Sequence, residues 1–199
     1  MITYKDIVKE NNPILREKSK DVPLPLSNED IKTLEDMNEY LIHSYDDEAC
    51  TKYNIRPGVG LSAVQIGVLK RMFAILGFDE EGQLHYYIVI NPKIIAHSEQ
   101  LTYLQTGEGC LSVDREVEGY IHRPKRIRAK CYLYDLETNE IKEAILRLEG
   151  YIAVVFQHEY DHLEGRLFID HIQSENPFYI PNNSSPIIFP TKEEDNETT

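Results

Sequence analysis

Apolar and polar positions divide the chain into a helical start, a β-rich middle and a second helix near the end. Ser27 is followed three residues later by Asp30, an approximate capping box with Asp in place of the usual Glu or Gln. Ile31, Leu34, Leu41, Ile42 and Tyr45 then recur at near-helical spacing, so the pattern predicts a packing helix with one apolar face. Ahead of it, Pro13, Pro23 and Pro25 predict an irregular opening with at most a short helix. Residues 46–57 are polar and predict a loop, which leads into the glycine-rich stretch 58–67. Residues 72–78 and 84–90, split by the turn-forming 79–83, predict a hairpin. Asn91-Pro92 is expected to end it, with short extended segments following to Leu104.

Another loop carries residues 107–112. From 127 to 136 the chain alternates, with Arg126, Arg128 and Lys130 on one side and Ile127, Ala129 and Cys131 on the other. The basic cluster 123–130 could read an anionic partner, but such alternation is more often the wet face of a strand, with 140–148 as its partner. Residues 150–164 predict a helix terminated by Gly165. Its first half, 151–156, is apolar all round, as a buried helix is, although its β-branched residues leave a strand as the alternative there. Beyond His171 regular patterning fades, and the chain closes on an acidic run. No internal repeat is visible.

At 199 residues the chain suits one ordinary domain with a real core. With 34 acidic against 21 basic residues, the net charge of −13 argues against specific nucleic-acid binding. No apolar run is long enough to span a membrane, and residues 1–10 lack the apolar stretch of a secretory signal. Three cysteines make no disulfide framework, so a reducing cytoplasm is expected, with any important Cys acting as ligand or nucleophile.

The sharpest chemical feature is His158-Glu159-Tyr160-Asp161-His162. On a helix, positions i and i+4 share a face, so two imidazoles can bind one metal ion. A Glu directly after the first His can reach water at that ion and act as general base. The three fixed positions arise by chance often enough, but a buried His-Glu-His face without a cation would be costly. A third protein ligand is needed. The metzincin pattern requires His at 168, where Phe168 stands. A thermolysin-like Glu would have to be Glu175, in a loop-like stretch beside Asn176-Pro177, which fits weakly. Cys110, flanked by Gly109, remains as an upstream candidate, a thiolate being a strong soft ligand.

Three segments together resemble peptide deformylase. Residues 58–65, GVGLSAVQ, look like the family's G-x-G-x-A-A-x-Q. Residues 108–112, EGCLS, and 157–165, QHEYDHLEG, match its E-G-C-L-S and Q-H-E-x-D-H-L-x-G. The long loop before Gly58 and the segment 112–117 resemble the insertion-bearing form of Gram-positive-type bacteria. Ser62 departs from the first of the paired alanines. As a small residue it should keep the packing, and it is not expected to touch the catalytic groups.

The resemblance implies an α+β fold: antiparallel β-sheets packed around a buried C-terminal metal-binding helix, plus the N-terminal packing helix. It implies one catalytic domain over 1–178, while the polar, acidic composition of 179–199 predicts a partly disordered tail. The implied activity is hydrolytic removal of the formyl group from formyl-methionyl nascent polypeptides, releasing formate, an N-terminal processing step of protein biosynthesis. Cys110, His158 and His162 would hold one divalent metal, natively Fe2+, with Zn2+, Ni2+ or Co2+ also accommodated. Glu159 would be the general base, and the Gln65 side-chain amide and Leu111 backbone N–H would stabilise the oxyanion. Gly60 and Gly109 would give backbone contacts to an extended peptide, with Val154 and Val155 walling the methionine pocket. A monomer is expected, with at most transient ribosome association. The acidic tail is a poor candidate for contact with ribosomal RNA. Cys50 and Cys131 are expected to be small buried hydrophobes.

Overall fold

A computed structural model describes residues 1–190. Two sheets and three α-helices build it. The larger sheet has the order β1-β2-β3-β6-β7, antiparallel throughout: β1 Gly60–Ser62, β2 Met72–Phe78, β3 Leu84–His97, β6 Arg126–Tyr134 and β7 Ile141–Glu149. The smaller sheet runs β5-β4-β8, with β4 Leu101–Leu104, β5 Arg123–Pro124 and β8 Ser184–Ile187. The expected α+β architecture with antiparallel sheets is what forms. One parallel pairing, β4 with β8, is added to it.

Strand β2 explains the layering. Its sequence is a continuous apolar run rather than an alternating one, as a strand covered on both faces requires. Met72 and Ala74 face α1 (Asn28–His43), joining Leu34, Met37, Tyr40 and Leu41 in one core cluster. Phe73 and Ile75 face the other way, joining Ile152, Ala153, Val155 and Phe156 of α3 (Gly150–Leu163). The rings of Phe73 and Phe156 meet edge to face at 5.0 Å between centroids. The apolar start of α3 is therefore helical and buried, which removes the strand alternative.

Helix α1 begins as its capping box requires: Asp30 N donates to Ser27 Oγ, and Ser27 N and Oγ donate to the Asp30 carboxylate. Its buried stripe is shifted from the expected one. Met37 and Tyr40 lie inside, while Ile42 and Tyr45 are about half exposed, because the turn angle carries 42 and 45 off the face set by 34, 37 and 41. The opening segment holds two 3-10 turns, Tyr4–Asp6 and Pro13–Arg16.

Three further expectations are corrected. Residues 46–57 are not all loop, since Asp47–Tyr53 forms α2, capped by Asp46 and ended by Asn54 in the left-handed region. The hairpin does not stop at Asn91-Pro92. Strand β3 continues to His97 through a register shift, with Asn91 at φ 49° and its side chain bridging Val22 N and O. Beyond residue 178 the chain supplies β8, laid along β4 with Thr102 Oγ1 donating to Ser185 O at 2.8 Å. The acidic run 191–199 lies outside the described residues.

Candidate active site

Three loops and one helix converge on a cleft between α3 and the short strand β1. Helix α3 places His158 and His162 one turn apart on one face, with ring centroids 5.1 Å apart. The connection between β4 and β5 of the smaller sheet delivers Cys110, where Val113 N donates to Cys110 O at 3.2 Å. The donor atoms of Cys110, His158 and His162 lie within 4.8 Å of one another, and Cys110 Sγ is 3.4 Å from His162 Nε2. Glu175, the weaker candidate for third ligand, is exposed and stands outside this cluster.

The electrostatics suit a cation. Burial pushes the Cys110 thiol up, but the two imidazoles outweigh it and hold it well below the usual thiol range. Burial would lower His158, yet the Cys110 sulfur and the Glu108 carboxylate raise it well above the usual imidazole range. A divalent ion would take the place of the proton that Cys110 and Glu108 draw onto His158, so two imidazoles and a thiolate buried together form the donor set of such an ion with an open coordination position. The residues present therefore fit the metal that the resemblance implies.

The neighbouring groups orient these donors. Glu108 Oε2 lies 2.8 Å from His158 Nδ1, which leaves Nε2 for the cation. Arg123 grips Glu108 through two bonds, Nε to Oε1 at 2.5 Å and Nη2 to Oε2 at 2.9 Å, and reaches Asp161 Oδ2 through Nη1 at 2.7 Å. His171 Nε2 also lies 2.8 Å from Asp161 Oδ2. Burial raises the Glu108 carboxyl, but the charge of Arg123 and the bond to His158 bring it down to about 2. Glu108 is thus an acceptor at neutral pH. Arg123, expected on the wet face of a strand, is 4% exposed and central to this network. The alternation that begins at Arg126 does not extend back to it, because Arg123 belongs to β5 in the other sheet.

Glu159, Gln65, Leu111, Gly60, Gly109, Val154 and Val155 all line the cleft beside the ligands. Burial raises the Glu159 carboxyl, against the pull of His158 and His162. Gln65 sits in the 3-10 turn Ala63–Ile66, where Ser62 N donates to Gln65 Oε1 at 2.8 Å. That fixes the amide, and Nε2 points to Ser112 Oγ at 3.2 Å and Cys110 Sγ at 3.6 Å. Val154 and Val155 are buried as well as cleft-lining, and Val155 also packs in the core behind. Gly60 is required by close approach, since a Cβ there would collide with the Glu159 carboxylate. At Gly109 a Cβ would meet nothing, so its hydrogen keeps cleft space open.

Ser62 does touch groups expected to be catalytic, contrary to the expectation. Strand β1 runs against α3, so the Ser62 hydroxyl lies 2.7 Å from Glu159 Oε2 and 3.0 Å from Glu159 O. Cys131 is buried as expected, whereas Cys50 is only half-buried and donates to His43 O.

An HExxH helix whose histidines meet a cysteine from a separate loop, beside a buried glutamate and an oriented glutamine, defines a metal-dependent amide hydrolase. The profile of the polypeptide deformylase family matches residues 4–178, and the chain belongs to that family. It is 51% identical over 187 residues to peptide deformylase 2 of Bacillus cereus, covering 94% of this chain and 99% of that one. It is 50% identical over 187 residues to peptide deformylase of Oceanobacillus iheyensis, covering 94% of this chain and all of the other. Among solved structures, that of peptide deformylase from Thermus thermophilus superposes with a TM-score of 0.65 at 33% identity, covering 89% of each chain. The Ehrlichia chaffeensis enzyme in complex with actinonin gives 0.65 at 30% identity, covering 86% of this chain and 90% of that one.

Proposed function

We propose that Cys110, His158 and His162 hold one divalent ion, natively ferrous, and that the chain uses it to cleave formate from formyl-methionyl polypeptides. The observation carrying this is the approach of three buried donor atoms to within 4.8 Å of one another at the floor of a cleft that also holds Glu159 and Gln65. Held by Cys110, His158 and His162, the ion would supply Lewis acidity and lower the pKa of water toward neutrality. Glu159 takes the proton of the attacking water on its carboxylate and delivers it to the departing amine nitrogen. The Gln65 Nε2 amide and the Leu111 N–H donate to the oxygen that gains negative charge at the formyl carbon. Gly60 and Gly109 offer backbone to an extended peptide, and Val154 and Val155 wall the methionine side chain. A thiolate ligand and an oxidisable ion suit a reducing cytoplasm, with the chain acting as a monomer in at most transient contact with ribosomes.

The test is formate release from a short formyl-Met peptide, with and without chelator, alongside elemental analysis of protein purified without oxygen. Iron near one per chain and activity lost on chelation are expected. Cys110→Ala should lose the ion, and Glu159→Ala should keep it without turnover. Persistence of turnover in Glu159→Ala would show that the base is wrong. Equal activity before and after air exposure would remove the case for iron.

A further inference from the structure

We propose that the Ser62 hydroxyl is a positioning group for Glu159, fixing one carboxylate oxygen so that the other meets the attacking water. The inference rests on Glu159 being the base. Ser62 is fully buried, and its Oγ lies 2.7 Å from Glu159 Oε2 and 3.0 Å from the Glu159 carbonyl oxygen. A hydroxyl has one proton to give. The carboxylate is both the nearer and the charged acceptor, so the shorter bond is the one that holds it. Glu159 Oε1 also lies against Gly60, close enough that a Cβ at residue 60 would clash with it. The carboxylate is thus fixed at Oε2 by a side chain and set at Oε1 beside bare backbone that lines the cleft. Oε1 is the oxygen placed to receive a proton from water.

Residue 62 acts on two groups through separate atoms. Its backbone N–H donates to Gln65 Oε1 at 2.8 Å and orients that amide, while its hydroxyl orients Glu159. The two actions can be separated, because Ser62→Ala removes the hydroxyl and keeps the N–H. Alanine also stands at this position in the family pattern that residues 58–65 resemble, so the variant will fold. With alanine there, Glu159 Oε2 loses its donor and the carboxylate is free to rotate about its last torsion.

The experiment compares Ser62→Ala with the parent, both loaded with ferrous ion without oxygen, on a formyl-methionyl tripeptide. The expected kcat falls by about tenfold or more, tenfold being the lower end of the worth of a hydrogen bond to a charged group. KM should stay within twofold, and metal per chain should be unchanged. A crystal structure of the variant should show the Glu159 carboxylate turned from its parent orientation. A kcat within twofold of the parent would overturn the proposal. So would a parallel fall in metal content and rise in KM, which would mark the hydroxyl as merely structural. An inactive Glu159→Ala beside a fully active Ser62→Ala rejects this proposal alone, whereas an active Glu159→Ala rejects the base itself.

Discussion

Glu108 and His158 are joined through Oε2 and Nδ1 at 2.8 Å, and this contact decides which imidazole nitrogen is free. Because Glu108 is held as a carboxylate, it can only accept, so Nδ1 keeps its proton and Nε2 is the nitrogen that gives up its proton to take a cation. Glu108→Gln keeps the size but can present an NH2 to the ring, admitting the wrong tautomer. Metal affinity is expected to fall by about ten- to a hundredfold. Competition against a chelator of known affinity measures it. Unchanged affinity would mean that the ring is oriented by its packing alone.

Arg123 is the cation on which two buried carboxylates depend, Glu108 and Asp161. Arg123→Met has nearly the same bulk but leaves Glu108 with only His158 and Asp161 with only His171, and unfolding free energy should drop by about 3–5 kcal/mol. Arg123→Lys keeps the charge without the planar fork that reaches three oxygens, so it should recover only part of the loss. Urea unfolding of the metal-free proteins separates this effect from metal binding. A loss below about 1 kcal/mol in Arg123→Met would show that water or rearrangement satisfies both acids.

What was legible in the sequence follows from range. The HExxH spacing is local, so its two histidines could be placed on one helix face without knowing the fold. The hydrophobic runs of β2 and of α3 announced burial directly. Cys110 was promoted only by the E-G-C-L-S resemblance, because a lone cysteine in a loop has no spacing to betray a partner 48 residues away. Arg123 and Ser62 were misplaced for the same reason. Their partners, Asp161 and Glu159, come from α3 through tertiary packing that no local period encodes. Strand β8 was missed because a four-residue segment among Asn, Ser and Pro has little β signal of its own, and its strand character comes from pairing with β4. Helix α2 was missed because a seven-residue polar helix is held by its caps and by one buried residue, Ala49, rather than by an apolar stripe.

Asp30 gives the fold a dependence on acid. Burial raises its carboxyl, but the hydrogen bonds from Lys70 and Ser27 outweigh that and hold it below the usual carboxylate range. With the folded pKa below the unfolded one, the stability it contributes is fully present above the ordinary value of 3.8 and is lost as pH falls through the folded pKa. Asp30→Asn should be less stable than the parent by about 1–2 kcal/mol at pH 7. The gap should narrow once the pH drops below about 4. Denaturant unfolding at a series of pH values tests this. A gap that stays constant down to the acid limit would assign the loss to packing instead of charge.

Two glycines in the cleft should respond in opposite ways to the same added methyl. At Gly60 the new Cβ meets the Glu159 carboxylate, which Ser62 holds at Oε2, so either the carboxylate or β1 must move. Neither shift is compatible with a base set to within about 0.5 Å, and Gly60→Ala should lose at least about a hundredfold in kcat. Its metal content should be unchanged, because the three atoms nearest the added group all belong to Glu159 and none to Cys110, His158 or His162. At Gly109 the Cβ enters open space on the cleft side, next to a ligand but touching nothing. Gly109→Ala should therefore fold and bind metal normally, and if the peptide backbone passes Gly109 as proposed, the methyl raises KM and changes kcat little. Steady-state kinetics on the two metal-loaded variants read both effects together. If Gly60→Ala instead raised KM alone, Glu159 would have more freedom than the bond from Ser62 allows, and residue 60 would serve the peptide rather than the base.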